Sequence, residues 1–216
     1  MRTVRAKICG ITNETDLAGA ISAGADAIGF IVGIQSSPRN LSIEQAQSLL
    51  QKIPPFISSV VVTRQSNSQG LKQLNSILHP DCLQVYCDIG ECKNVLGELN
   101  QDATIILGVD GEKSSLGDLI TMSEYCDAFL LDTLSSMKSG GTGRVHDWNA
   151  SRRLRQAVDP KPIILAGGLT PENVEEAIKI VEPYAVDVAS GVESSPGKKD
   201  RAKMMEFIKN AKGVQL

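Results

Sequence analysis

Two side chains in this sequence have types and positions suited to proton transfer. Cys9 closes the apolar run Val4–Cys9, and Asp132 closes the run Ala128–Asp132. A thiol near a helix N-terminus can lose its proton and act as a base, but free cysteine is also commonly buried and inert. A carboxyl that follows Phe129, Leu130 and Leu131 can have its pKa raised by partial burial and serve as a general acid. It can equally cap a loop by accepting hydrogen bonds from nearby backbone amides. Neither residue decides the matter alone.

Other residues are suited to holding an anion. Three glycine-bearing turns follow apolar runs late in the chain: Gly140-Gly-Thr-Gly143, Ala166-Gly167-Gly168 and Ser190-Gly191. Glycine lets a backbone come close to phosphate oxygens. In an α/β barrel the turns after strands seven and eight commonly cradle a phosphate with backbone amides. Arg39, in Ser36-Ser37-Pro38-Arg39, can grip a carboxylate with paired hydrogen bonds or stand solvated in its loop. His79 precedes Pro80 at a strand entry, the wrong end for catalysis, and His146 is a weak candidate in the stretch after Asp132.

Five cysteines are present: Cys9, Cys82, Cys87, Cys92 and Cys126. An odd count without a secretion signal argues against a disulfide framework. The Cys-x4-Cys-x4-Cys spacing of Cys82, Cys87 and Cys92 differs from a zinc knuckle and lacks a nearby fourth ligand. These three read as small buried hydrophobes on a strand and a helix, and no metal is expected.

The elements that must position these groups alternate. Strand-length aliphatic runs recur at Val4–Cys9, Ala25–Val32, Ile57–Thr63, Cys82–Cys87, Thr104–Val109, Ala128–Asp132, Pro162–Ala166 and Ala185–Ala189. Helically spaced stripes lie between them, such as Leu71, Leu74 and Leu78, or Val174, Ala177, Ile178 and Val181. Ser42-Ile-Glu-Gln45 reads as a capping box, and Thr170-Pro171-Glu172 as a capped helix start. Eight units of about 27 residues predict an α/β fold, a single (β/α)8 TIM barrel over residues 1–216, against an open doubly wound sheet as the alternative. Thr133 to Asp147 is the longest irregular stretch, and a long loop in a compact domain is usually functional or disordered.

Composition narrows the function. Aromatics make up only 4% of the 216 residues, so the core must be aliphatic, as a parallel sheet under helices requires. The net charge of −3 is spread along the chain, which excludes a nucleic-acid partner of the basic-stripe kind. No apolar run is long enough for a signal peptide or a membrane span, so a cytoplasmic protein is expected.

Together these segments resemble the phosphoribosylanthranilate isomerase family. The resemblance is carried by Lys7-Ile-Cys-Gly-Ile-Thr12, Gly24-Ala-Asp-Ala-Ile-Gly-Phe30, Ser37-Pro-Arg39, Asp132-Thr133, Gly140-Gly-Thr-Gly143, Asp147-Trp148, Leu165-Ala-Gly-Gly-Leu169, Pro171-Glu-Asn-Val174, Ser190-Gly-Val-Glu193 and Gly197-Lys-Lys-Asp200. It implies an Amadori rearrangement of N-(5-phosphoribosyl)anthranilate in tryptophan biosynthesis, without metal or organic cofactor. It further implies Asp132 as general acid and Cys9 as general base. Arg39 would hold the anthranilate carboxylate. Gly143, Gly167, Gly168, Ser190 and Gly191 would contact the substrate, mainly its phosphate, and Asp187 would lie near the sugar. A monomer or a homodimer is compatible with it.

Departures from the family pattern cluster in one quadrant. Val60-Val-Val-Thr63 lacks the usual aromatic. Leu83-Gln-Val-Tyr-Cys-Asp88 keeps the glutamine but carries Tyr86 and Cys87 where the family has His-Gly. His146 stands for an aromatic before Asp147. These changes leave open another aminoaldose phosphate as substrate. A phosphosugar-binding barrel without catalysis has no use for Cys9 and Asp132. A Schiff-base aldolase would have to use Lys7, since Lys161 lies at the start of its strand.

Overall fold

A computed structural model describes residues 2–65, 67–87, 89–99, 103–133 and 147–216. Eight strands run β1 (Arg5–Cys9), β2 (Ala27–Val32), β3 (Ser58–Thr63), β4 (Cys82–Tyr86), β5 (Ile105–Asp110), β6 (Ala128–Asp132), β7 (Ile163–Leu165) and β8 (Ala185–Val188). Helices α1 (Glu14–Ala23), α2 (Ile43–Leu50), α3 (Ser68–Leu78), α4 (Ile89–Gly97), α5 (Leu116–Met122), α6 (Trp148–Ala157), α7 (Val174–Val181) and α8 (Arg201–Gly213) each follow one strand. Neighbouring strands pair in parallel, and β1 pairs with both β2 and β8. That double pairing closes the barrel and rules out the open sheet.

Closure creates two cores. Outward-facing strand residues such as Ile8, Phe30, Val61, Leu107 and Phe129 pack under the helix stripes. The inward set includes Cys9, Val60, Val62, Ile106, Leu130, Ile164 and Ala166, with Ala27, Ile31, Cys82 and Tyr86 partly buried against it. Residues two apart on a strand share a face, so Lys7 lies on the inner face with Cys9, and Gln84 with Tyr86. The sequence periodicity thus selects which polar groups enter the interior.

Helix starts follow local chemistry. Ser42 and Gln45 form the reciprocal capping box of α2, as the sequence predicts, and Ser115 and Asp118 do the same for α5. The start predicted at Thr170 is different: α7 begins at Val174. The Asn173 side chain accepts from the Thr170 N–H (2.8 Å) and donates to the Gly168 carbonyl (3.0 Å). That bracing occupies the segment a first helical turn would have used.

Cys87 and Cys92 form a disulfide across the β4–α4 turn, with Cα atoms 5.6 Å apart. This corrects the reading of both as small buried hydrophobes: the turn brings two thiols to bonding distance. Cys9, Cys82 and Cys126 are free. No helix among the described residues is long and apolar enough to cross a membrane.

At the strand entries, three aspartates repeat one device. Asp26, Asp81 and Asp127 stand just before β2, β4 and β6. Their carboxylates accept from the Ala6 (2.8 Å), Ser59 (2.7 Å) and Ile105 (2.7 Å) N–H groups of the preceding strands. Each clip satisfies a backbone donor at a strand start. Asp127→Ala leaves the Ile105 N–H without this partner, which should cost about 1–2 kcal/mol. For a domain of this size the melting temperature should fall by roughly 2–8 °C, read by thermal denaturation, with substrate KM unchanged. A melting point within a degree of wild type would remove the clip from the stability account.

Candidate functional site

The C-terminal mouth collects the polar residues of the inner face. Lys7 is 3% exposed, and its ammonium donates to Asp187 Oδ1 (3.0 Å) and Gln84 Oε1 (2.9 Å). Lys7 and Asp187 are direct partners in the β1–β8 register, whereas Gln84 reaches Lys7 from β4, across the barrel. Burial pulls the Lys7 pKa down, but the Asp187 carboxylate, with Cys9 beside it, outweighs this and the pKa is raised. Lys7 is therefore a fixed cation, and Schiff-base chemistry, which needs a neutral amine, is disfavoured there.

Cys9 lies one inward position further along β1. Gly29 of β2 makes its room: a Cβ there would sit 2.8 Å from the Cys9 sulfur and 3.0 Å from Lys7 Cε. Burial pushes the Cys9 thiol up, Lys7 and Lys199 oppose this, and Asp187 adds to it. The lowered pKa expected from a helix N-terminus is thus absent. Gly10, Ile11 and Thr12 separate Cys9 from the Asn13 cap of α1, so the helix dipole does not outweigh desolvation.

Asp132 ends β6 on the inner face. Its Oδ1 accepts from the Thr133 N–H (2.7 Å), the loop-capping bond foreseen as the bland alternative, while its Oδ2 accepts from the Tyr86 hydroxyl (3.2 Å). Burial raises its pKa, the Thr133 amide lowers it, Asp187 raises it, and Tyr86 and Lys7 lower it; the balance is upward. Capping and acid chemistry are thus compatible, since each carboxyl oxygen has two lone-pair sites. Lys7 and Asp187 act on both Cys9 and Asp132, so base and acid candidates share one electrostatic cluster.

Arg39 packs its stem where a side chain on Gly10 would otherwise stand. It does make paired hydrogen bonds to a carboxylate, but that carboxylate belongs to the chain itself. Nε and Nη2 donate to Glu193 Oε1 (2.7 Å) and Oε2 (2.6 Å). Lys199 donates to Glu193 Oε1 (2.9 Å) and to the Ala189 carbonyl (2.9 Å). Burial alone would raise the Glu193 pKa, yet Arg39 and Lys199 hold it below the ordinary range. Two cations share one carboxylate, which leaves the trio with a net positive charge. Arg39 Nη1 carries two further donors.

The late glycine turns meet at the same mouth. Gly167 (φ 78°) and Gly168 (φ 69°) follow β7 in the left-handed region, which disfavours any side chain. A Cβ on Gly167 would also press on Thr133 and on Asp132 Oδ1. Ser190 opens a 3-10 turn after β8, and a Cβ on Gly191 would collide with the Leu169 carbonyl. The turns after β7 and β8 are therefore in backbone contact. Gly143, with Gly140 and His146, lies outside the described residues. Among the described residues no group of three or more His, Cys, Asp or Glu is placed to hold a metal ion.

Sequence reasoning gave Lys7 only a passing test as a Schiff-base residue, and gave Gln84, Glu193 and Lys199 no role. The signal for the first two was available: a lysine and a glutamine at the inward phase of otherwise apolar strands need a buried partner. The partners themselves lie 77 to 180 residues away.

Comparison with known proteins agrees with this geometry. The family model described as N-(5'phosphoribosyl)anthranilate (PRA) isomerase matches residues 6–210. The N-(5'-phosphoribosyl)anthranilate isomerase of Haloferax volcanii is 43% identical over 209 residues, 96% of this chain and 93% of that one. That of Haloarcula marismortui is 41% identical over 211 residues, 96% of each chain. Among solved structures, phosphoribosyl anthranilate isomerase from Thermotoga maritima superposes with a TM-score of 0.81 at 36% identity, covering 98% of this chain and 100% of that one. A phosphoribosyl anthranilate isomerase in complex with reduced 1-(o-carboxyphenylamino)-1-deoxyribulose 5-phosphate gives a TM-score of 0.78 at 34% identity, with 98% and 100% coverage. With a closed barrel and this match over nearly the whole chain, the protein belongs to the N-(5'-phosphoribosyl)anthranilate isomerase family.

Proposed function

We propose that this chain isomerises N-(5'-phosphoribosyl)anthranilate to the 1-deoxyribulose phosphate product, an Amadori rearrangement in tryptophan biosynthesis. The observation that carries the reading is the convergence of Cys9 and Asp132 on the Lys7–Asp187 pair at one barrel mouth. Asp132 gives a proton to the ribose ring oxygen, and the C1'–O bond breaks to leave a protonated imine. Cys9 takes the C2' proton, and the C–H electrons move into the imine to give an enolamine. Proton return to C1', with loss of the C2' hydroxyl proton, then yields the ketone. The imine is the electron sink, so an acid and a base suffice without a cofactor.

The binding roles follow the charges. The turns of Gly167, Gly168, Ser190 and Gly191, with Gly143 from the sequence motif, hold the phosphate, whose distance from the reacting carbons supplies orientation. Asp187 flanks the sugar. Arg39 takes the anthranilate carboxylate through Nη1 while Glu193 holds its other edge. The bound product analogue of a relative supports a phosphorylated small molecule as ligand. A cytoplasmic location goes with this biosynthetic role. A homodimer is favoured over a monomer by a relative described as dimeric, and Phe56 stands fully exposed with φ 72°, two costs that a partner surface would offset.

Loss of anthranilate fluorescence follows turnover directly. Cys9→Ala and Asp132→Ala should each lower kcat by about 10²–10⁴-fold; near-normal rates in both would end the acid–base assignment. Gly191→Ala should raise KM for the phosphorylated substrate about tenfold or more through displacement of the phosphate turn, at a kcat that falls less. An unchanged KM would take that turn out of the binding site.

The kcat/KM profile should be bell-shaped. Free carboxyl and thiol groups titrate at about 3.9 and 8.5, and burial raises both here, so the carboxyl loses its proton first. Below its pKa both groups are protonated and the base is missing. Above the thiol's, both are bare and the acid is missing. Between the limbs the reactive arrangement, thiolate with carboxylic acid, is a constant fraction. The high-pH limb should lie above that of free cysteine; a limb well below it would contradict a thiol raised by burial.

A further inference from the structure

Tyr86 occupies an unusual path. It belongs to β4, but its hydroxyl meets Asp132 on β6, so the ring has to cross β5. Gly108 of β5 is what lets it cross. Tyr86 and Gly108 are register partners, and a Cβ on Gly108 would stand inside the tyrosine ring, against Cε1, Cδ1 and Cζ. The ring therefore lies on bare backbone, and its length brings the hydroxyl to the carboxyl of the next strand.

The direction of the hydrogen bonds in this array is determined from one end. Lys7 has donors only, so the Gln84 atom facing it must be the carbonyl Oε1, 2.9 Å away. That turns the Gln84 Nε2 towards Tyr86 Oη, 3.0 Å away, where it donates. With its oxygen accepting from Gln84, the hydroxyl has its own proton free to donate, and Asp132 Oδ2 lies 3.2 Å away. Burial, with Asp132, Asp187 and Cys9 nearby, keeps the phenol well above its ordinary pKa, so that proton stays on Tyr86 throughout the working range.

We propose that Tyr86 is a positioning residue for the isomerase reaction: its hydroxyl proton, aimed by Lys7 through Gln84, occupies one lone pair of Asp132 Oδ2 and leaves the remaining lone pairs to carry the proton given to the substrate. The proposal rests on Asp132 being the acid. Thr133 occupies Oδ1 in the same way, so the carboxyl is held at both oxygens and cannot swing away from the mouth. The ionisable and charged groups around this carboxyl are Tyr86 from β4, Asp110 from β5, Lys7 from β1 and Asp187 from β8. Asp110 is itself occupied by the Glu112 and Lys113 amides and faces the Lys113 ammonium at 3.7 Å.

Tyr86→Phe keeps the ring on Gly108 and removes only the donor. A donor to a carboxylate favours the charged form, so its loss raises the Asp132 pKa. The acidic limb of kcat/KM, which Asp132 sets, should move up by about one pH unit, with KM changed less than twofold. In the ligand-free protein, ¹³C NMR titration of the Asp132 carboxyl should show the same upward displacement, independent of turnover. Gln84→Met, which removes the group that aims the hydroxyl, should shift the limb in the same direction by less, and it keeps the question open to test if the phenylalanine variant does not fold. An Asp132 titration and an acidic limb both unchanged in Tyr86→Phe would overturn the proposal, even if the rate fell. Normal turnover in Asp132→Ala would instead overturn the acid assignment, and the NMR titration would still report whether Tyr86 holds the carboxyl.

Discussion

A lysine ammonium inside a closed barrel has to be neutralised where it lies. The interior below the mouth is aliphatic, and an unpaired charge there is untenable. Asp187, its partner across the β1–β8 register, supplies the counter-charge, and Gln84 supplies the second acceptor. Much of the mouth follows from this pair. Removal of either partner leaves a buried charge alone, which is strongly destabilising, although the intact pair itself adds little to stability. What it provides is a rigid set of donors and charges at a defined height in the barrel. Cys9 sits above it on the same strand face, and the Gln84 amide is oriented by it.

A second charged cluster stands at the rim and differs in its balance. Arg39, Lys199 and Glu193 carry two positive charges against one negative. The Lys7–Asp187 pair is neutral. A ligand with a phosphate at one end and a carboxylate at the other meets excess positive charge at the rim and balanced charge where its carbon chemistry occurs. The rim is tied to the barrel by hydrogen bonds between main chain and side chains: the Lys199 N–H donates to the Asp16 carboxylate of α1 (2.9 Å), and the Thr12 hydroxyl donates to the Gly197 carbonyl (2.8 Å). The loops after β1, β2 and β8 are therefore one connected wall.

The barrel was legible because strand length, aliphatic runs and helix stripes are local patterns, and all eight strands fall within the predicted runs except for Asp110, one residue past its run. Cys9 and Asp132 were legible from their places at strand ends together with family resemblance, and Asp187 from the resemblance alone. Partner choice was not. Glu193 lies 154 residues from Arg39, and Asp187 lies 180 residues from Lys7, so nothing local connects them. The start of α7 was misplaced because Asn173 caps Thr170 instead of beginning a helix. The Cys87–Cys92 bond escaped a rule based on cysteine count, which addresses frameworks and not a single short bridge within a turn. Tyr86 was noticed only as a departure from a pattern; its reach to Asp132 depends on Gly108 of the next strand, and no spacing rule links a tyrosine to the glycine beneath it.

The resting mouth is arranged for one half of the chemistry only. Burial favours the neutral forms of both Asp132 and Cys9. For Asp132 that is the form the proposed acid step would consume. For Cys9 it is the wrong one, and Lys7, already balanced by Asp187, does not overcome it. On the acid–base reading the missing cation comes from the substrate. Ring opening, which uses the Asp132 proton, creates a protonated imine beside C2', and a positive charge in a water-poor site stabilises a thiolate strongly. The same step also leaves Asp132 as a carboxylate, already accepting from Tyr86 and Thr133 and needing no reorganisation. Charge thereby orders the events within the reactive fraction, thiolate with carboxylic acid: the acid step comes first and produces the imine cation that stabilises the Cys9 thiolate for the base step.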